Sequence, residues 1–262
     1  MGCGFDPHLK RMTYIENPKT KGSGILCAIP QTGTCPVGCA DCFFQTGRSY
    51  LEPLSENLPN LPSVEDALGH VVRMNDGNDS NVGRDSVEYA AKFYHDVFFN
   101  TSIPKDLGTF PGPVVLTVNP GKRTDGDPIL LDVCPPNLMF VRVRVNTWNQ
   151  DTVDRVMHHY ADPEEGKGVP VVMTFMGYYE EKLPEGEAWK YIFKQRTTNS
   201  YWVLRDEIYD TLVNRYLGNP LVSTCGKDNG VYGCRFCGVC LREYFATKER
   251  LRSASGGGMV TG

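Results

Sequence analysis

The residues best suited to chemistry form the run Cys35-Pro36-Val37-Gly38-Cys39-Ala40-Asp41-Cys42, a C-x3-C-x2-C spacing. Three thiolates this close can hold three irons of a cubane [4Fe–4S] cluster and leave the fourth without a ligand from the run. An iron with an open site can bind and activate a small molecule. A cluster with four Cys ligands is mostly limited to moving electrons. Zinc favours paired C-x2-C knuckles, and this spacing with no nearby His suits it poorly. Unconnected buried thiols are the remaining reading.

A second group is Cys225, Cys234, Cys237 and Cys240, read as C-x8-C-x2-C-x2-C with Gly233 and Gly238 interleaved. Its last three cysteines repeat a ferredoxin-like run, and four thiolates would complete a second, fully ligated [4Fe–4S] cluster. Structural zinc and an unmetallated set are the competitors. Seven of the ten cysteines sit in these two groups, which argues for metal over disulfides. Of the others, Cys27 reads as a core thiol, Cys134 as a loop thiol and Cys3 as a terminal one.

The surrounding elements must position these loops. Gly24 to Ile29 is a short apolar run and reads as a buried strand feeding the first cysteine loop. Gly33, Pro36 and Gly38 keep that loop compact, and Phe43 and Phe44 could shield a cluster from water. Helices are expected over 63–74, with Ser63 as N-cap, and over 85–99, where Asp85 and Glu88 resemble a capping box. A Gly/Asn/Asp loop, 75–84, joins them. Strands follow at 113–119, 138–146, 169–176 and 221–224, with helices at 149–160 and 204–217 between them. This β/α alternation implies a mostly parallel sheet.

Strand parity adds one more set. Val141, Val143 and Val145 point one way, and Arg142, Arg144 and Asn146 the other. The helix-covered face of a parallel barrel is apolar, so the arginine face reads as the lumen. A solvated edge strand is the alternative. By the same parity Thr117, Asn119 and Thr174 would line the cavity, and Tyr178, Tyr179 and Glu180 would sit at its rim. The Gly121-Lys122-Arg123-Thr124 run only glances at a phosphate loop, because Leu116 stands where the earlier glycine is required. The five histidines show no ligand spacing.

The cysteine spacing and the β/α context resemble the radical SAM superfamily. That resemblance implies a partial (β/α)6 TIM-like barrel over 1–224, a small cysteine-rich auxiliary extension over 225–252 and a flexible tail over 253–262. It implies that Cys35, Cys39 and Cys42 ligate a catalytic [4Fe–4S] cluster whose open iron chelates S-adenosyl-L-methionine. One-electron reduction would then yield methionine and a 5′-deoxyadenosyl radical that abstracts hydrogen from a substrate. In the superfamily a turn ending the second strand receives the methionine amino group. Asn119-Pro120-Gly121, after PVVLTV, is the expected counterpart, though it lacks the usual acid. Asn119, Gly121, Arg144, Asn146 and Thr174 are the expected cofactor contacts. The aromatic residue that usually precedes the third cysteine is replaced by Asp41.

Bulk properties narrow the setting. A net charge of −4 gives no electrostatic case for nucleic acid. The N-terminus lacks a signal-like apolar stretch, and no apolar run approaches membrane-spanning length. A cytoplasmic enzyme is expected, with a flavodoxin- or ferredoxin-like electron donor and a small-molecule or peptide substrate. The contrasting expectation is a metal-stabilised binding or electron-transfer protein that makes no radical.

Overall fold

The computed structural model describes residues 13–39, 42, 44, 47, 49–118, 128–175, 177, 183–195, 200–228 and 231–256. Its centre is a seven-stranded, wholly parallel sheet: β1 (Ile25–Ala28), β2 (Val71–Met74), β3 (Val97–Thr101), β4 (Val114–Val118), β5 (Leu138–Val145), β6 (Val171–Phe175) and, after a hairpin of β7 (Tyr191–Lys194) and β8 (Tyr201–Leu204), β9 (Val222–Thr224). The spatial order β1-β2-β3-β4-β5-β6-β9 follows the chain. Each crossover therefore steps one place in the same direction. Right-handed crossovers all of one sense put their connections on a single face and leave the other face to curl on itself. The result is a half-barrel.

The helices between strands are α1 (Leu54–Asn57), α2 (Arg84–Ala91), α3 (Gln150–Ala161) and α4 (Asp206–Asn214). Val87, Ala90 and Ala91 of α2 and Val153, Val156, Met157 and Tyr160 of α3 pack on Leu26, Val72, Phe99, Leu116, Val141, Val143, Val145 and Met173. Burying one such aliphatic side chain contributes about 1.5–3 kcal/mol, so this convex layer dominates the stability.

The concave face is different. Val71, Phe98, Val115, Phe140 and Val172 face inward and are covered by Val239 and Tyr244 of α6 (Val239–Gly256), which follows the short α5 (Cys234–Cys237) and a two-stranded ribbon, β10 (Lys227–Asp228) with β11 (Val231–Tyr232). Tyr244 donates to Asp96 before β3 at 2.8 Å, and Arg250 donates to the Leu138 carbonyl at the start of β5 at 3.1 Å. Both contacts lie at the N-terminal end of the strands. α6 thus closes the bottom of the half-barrel and runs through Gly256, beyond Ser253 where a tail was expected.

Two expected helices each conceal a strand. Residues 63–69 form turns, with Gly69 at φ 75°, and β2 begins at Val71. α2 stops at Ala91, and β3 begins at Val97. Val71-Val72 and Phe98-Phe99 put buried apolar side chains on both faces of these strands, a pattern that a helical period can absorb. The sheet therefore has seven strands where six were expected.

β1 is an edge strand and is covered. The Tyr14 hydroxyl donates to the Cys27 carbonyl at 3.0 Å and accepts from the Cys27 N–H at 3.2 Å. Ile29 pairs with Asn60, whose side chain bonds both backbone groups of Ile15. That covering hides unpaired backbone from other chains.

Candidate metal and cofactor site

β1 delivers the chain to the C-terminal rim of the sheet, and the cysteine loop begins there. This rim is where parallel α/β sheets gather their functional loops. Cys35, Cys39 and Cys42 are half-buried and not disulfide-bonded. Cys42 packs against a small apolar cluster of Ile29, Phe44, Leu51 and Leu58. Ala40, Asp41 and Phe43 lie outside the described residues.

The next rim loop, 75–83, follows β2 and clasps the cysteine loop. Gln31 Nε2 donates to the Asp79 and Val82 carbonyls at 3.1 and 2.8 Å, and Asn78 Nδ2 to the Gly33 carbonyl at 3.3 Å. The clasp is itself tied to β3. The buried Asp79 carboxylate accepts from Thr101 Oγ1 at 2.6 Å and from the Ser102 N–H and hydroxyl at 2.6 and 2.9 Å.

This placement corrects the assignment of the turn that ends the second strand. PVVLTV is β4, the fourth strand, and the second strand ends at Met74. The turn in the expected place is Asn75-Asp76-Gly77. Asn119 and Gly121 themselves fall outside the described residues. Asn75 Oδ1 and Asp76 Oδ1 are buried and accept no hydrogen bond. The buried Tyr50 hydroxyl lies beside Asp76, and burial with the Asp76 charge pushes it up, so Asp76 already has a donor at hand and Asn75 Oδ1 is the acceptor left over. The other Asp76 oxygen accepts from Asn17 Nδ2 at 2.6 Å and stands 3.6 Å from Arg73.

The parity reading of β5 holds. Val141, Val143 and Val145 pack on the convex helices, and β5 lies between β4 and β6 rather than at an edge. Arg142 and Arg144 are therefore on the lumen face. Arg142 stands in register with Thr117 and Val172, and Arg144 with Thr174. Arg142 Nη1 donates to Asn100 Oδ1 at 3.3 Å. Thr174 Oγ1 is buried with no partner. Asn146 is committed to the start of α3: its Oδ1 accepts from the Trp148 N–H at 3.0 Å, and its own N–H donates to Asn149.

Lower in the lumen, the Cys27 thiol accepts from Arg73 Nη2 at 3.2 Å and lies 3.6 Å from Thr20 Oγ1. Burial, only partly offset by the Arg73 charge, pushes that thiol up to about 12. It stays protonated at neutral pH, a packing thiol rather than a nucleophile.

The C-terminal cysteines come to the same lumen. The Cys225 N–H donates to the Met173 carbonyl at 2.8 Å, continuing the β9 ladder, and Cys225, Cys237 and Cys240 pack against the concave apolar cluster. Burial raises the Cys240 thiol; Arg142 and Arg73 oppose that rise, while Cys225 and Cys234 add to it. Burial also raises Cys234, with Cys225 and Cys237 adding and Arg73 opposing. Burial first, and the neighbouring thiols second, thus disfavour the thiolate forms of Cys234 and Cys240.

No known protein family, characterised protein or solved structure matches this chain. Among the described residues no group of three or more His, Cys, Asp or Glu side chains is arranged to hold a metal ion. A single zinc needs its donors converged on one point, whereas a cubane takes each thiolate at a different iron. No helix is long and apolar enough to cross a membrane among the described residues.

Sequence reasoning read 75–84 as a loop between two helices and missed three features: that Asn75-Asp76-Gly77 ends a strand, Arg73, and the packing of α6 into the lumen. The first was within reach. An Asn-Asp-Gly-Asn-Asp run directly after a VVRM segment is a strand-ending turn signal.

Proposed function

We propose that the protein is a radical S-adenosylmethionine enzyme in which Cys35, Cys39 and Cys42 ligate a catalytic [4Fe–4S] cluster. The observation that carries this reading is the position of the C-x3-C-x2-C loop at the strand-end rim of a singly wound half-barrel, clasped by the loop that ends the second strand. When bound and reduced by one electron from a flavodoxin- or ferredoxin-like donor, the cluster would supply homolysis of S-adenosylmethionine and hence a hydrogen-abstracting radical.

The chain's own residues do the rest. Asn75 and Asp76 would be the acceptors nearest the loop for the methionine ammonium. Arg144 and Thr174, with Asn119, Gly121 and Asn146 on sequence grounds alone, would orient the cofactor. Arg142 and Arg144 give the lumen a positive wall suited to a small-molecule or peptide substrate with a carboxylate or phosphate group. α6 excludes water from below. Cys225, Cys234, Cys237 and Cys240 hold a second [4Fe–4S] cluster against the concave face; zinc is the competing occupant. A reducing, cytoplasmic setting suits so many free thiols.

The test is anaerobic reconstitution with iron and sulfide, then dithionite and S-adenosylmethionine, with 5′-deoxyadenosine measured by mass spectrometry. Product that is lost in Cys39→Ala supports the assignment. Loaded clusters that never yield 5′-deoxyadenosine overturn it and favour an electron-transfer or binding protein.

A further inference from the structure

Phe44, two residues after the third cysteine, is 2% exposed. Its ring lies directly on Gly77 of the neighbouring rim loop. A Cβ placed on Gly77 would sit 2.1 Å from Phe44 Cδ2, 2.4 Å from Cε2 and 2.7 Å from Cγ. No real methyl group tolerates such contacts. Gly77 is not among the glycines with positive φ. Backbone strain therefore does not demand glycine there, and the nearest obstacle to a side chain is the Phe44 ring.

The two sides of this contact differ in stiffness. The Gly77 side is braced by the Asp79 carboxylate, which ties the loop to Thr101 and Ser102, and by Asn81 Nδ2, which donates to the Ile103 and Lys105 carbonyls at 2.9 and 3.0 Å. The cysteine loop contains no helix or strand among its described residues. A ring keyed into a rigid notch fixes the chain that carries it, and here that chain carries Cys42.

We propose that Phe44 and Gly77 form a steric lock that positions Cys42, and with it the cysteine loop, before any cluster is bound. Phe44 and Gly77 are positioning residues and touch no reacting atom. The functional meaning rests on the first cluster being held by Cys35, Cys39 and Cys42. The lock itself does not, since it belongs to the apoprotein. Its consequence is a loop ordered in advance: three thiols wait at fixed places, and iron loading does not have to organise them.

The experiment uses the full chain without metal. Iodoacetamide alkylation of each cysteine is followed by mass spectrometry in wild type, Gly77→Ala, Phe44→Leu and the double variant Gly77→Ala/Phe44→Leu, with thermal unfolding measured beside it. Gly77→Ala should displace the ring and speed Cys42 alkylation by roughly tenfold or more, the size of a typical overpacking penalty. Cys134 should keep its rate, and Tm should fall by only a few degrees, as about 1.4 kcal/mol implies for a chain of this size. Phe44→Leu should loosen Cys42 less. In the double variant the smaller side chain makes room for the new methyl, and the Cys42 rate should return toward wild type. Unchanged Cys42 reactivity in Gly77→Ala, or no recovery in the double variant, overturns the lock. If Gly77→Ala does not fold, Phe44→Leu and the double variant still decide: the double must then fold and protect Cys42 better than Phe44→Leu does. Iron counted after reconstitution should follow the same order. Wild type that takes up no iron yet shows this alkylation pattern would refute the cluster reading while leaving the lock intact.

Discussion

The two cysteine sets occupy the same half-barrel but are held in opposite ways. Cys35, Cys39 and Cys42 lie on one short rim loop, with little regular structure of its own, clasped by the 75–83 loop and by Phe44. Cys225, Cys234, Cys237 and Cys240 are spread over the end of β9, the short α5 and the start of α6, and are pressed against the concave face beside Arg73 and Arg142. The first set offers three thiols on a rim loop, and the second, equally half-buried, offers four where β9 ends and the floor helix α6 begins, beside Arg73 and Arg142. Three ligands would leave one iron of a cubane open to exchange, and four with balancing charge would suit storage or relay of electrons. On the proposed reading, that contrast gives the two sets different work.

The largest expected effect breaks that contrast directly. Cys39→Ala should abolish 5′-deoxyadenosine, whereas Cys234→Ala should leave cleavage of S-adenosylmethionine detectable in the absence of substrate. Iron should fall from about eight per chain to about four in either variant if, as proposed, each set holds one cubane. Equal loss of cleavage in both variants would mean that the two sets form one functional unit. Iron near four with zinc present in wild type would place zinc at the floor.

A smaller effect sharpens the electrostatic half. Arg142 and Arg73 are the cations facing Cys240. Removing a positive charge beside an iron–sulfur centre favours its oxidised, less negative form. Arg142→Ala should therefore lower the midpoint potential of the second cluster by roughly 60 mV, a tenfold change for one electron. Arg142→Lys should restore most of it, and the first cluster should shift far less. Electron paramagnetic resonance titration separates the two centres. A shift confined to the rim cluster would show that Arg142 serves the cofactor pocket instead.

How much of this was legible depended on the range of the interaction. β4, β5, β6 and β9 with α3 announce themselves through local period, and the lumen-facing Arg142 and Arg144 follow from parity on β5 alone. β2 and β3 did not, because Val71-Val72 and Phe98-Phe99 are apolar on both faces and fit a helical spacing as well as a strand. That error moved the second-strand turn from Asn75–Gly77 to Asn119–Gly121. The lock between Phe44 and Gly77, and the contact of Tyr244 with Asp96, join residues far apart in sequence. Neither a single aromatic nor a single glycine signals its partner.

The smallest effect concerns how the floor is fastened. α6 is tied to the sheet through the Tyr244 hydroxyl and the Asp96 carboxylate, a contact the rim set lacks. Burial alone would raise the Asp96 carboxyl, but the His95 and Tyr244 hydrogen bonds, with the His95 and Lys248 charges, outweigh it and hold it below the ordinary 3.8. A carboxyl depressed in the folded state stabilises the fold above its unfolded value, and that contribution is lost as pH falls through the folded one. Asp96 is partly exposed, so solvent screens the effect. Tyr244→Phe should cost about 0.5–1.5 kcal/mol at pH 7, the usual worth of one hydrogen bond. In metal-free protein the Tm gap between wild type and Tyr244→Phe should persist from pH 7 to about 5 and close as the pH drops below the ordinary carboxylate range. The same substitution should speed alkylation of Cys237 and Cys240 and leave Cys35, Cys39 and Cys42 unchanged. A Tm gap independent of pH would remove Asp96 from the fastening. Faster alkylation of both sets would mean that floor and rim open together, and that the two cysteine sets share one cooperative unit despite their different supports.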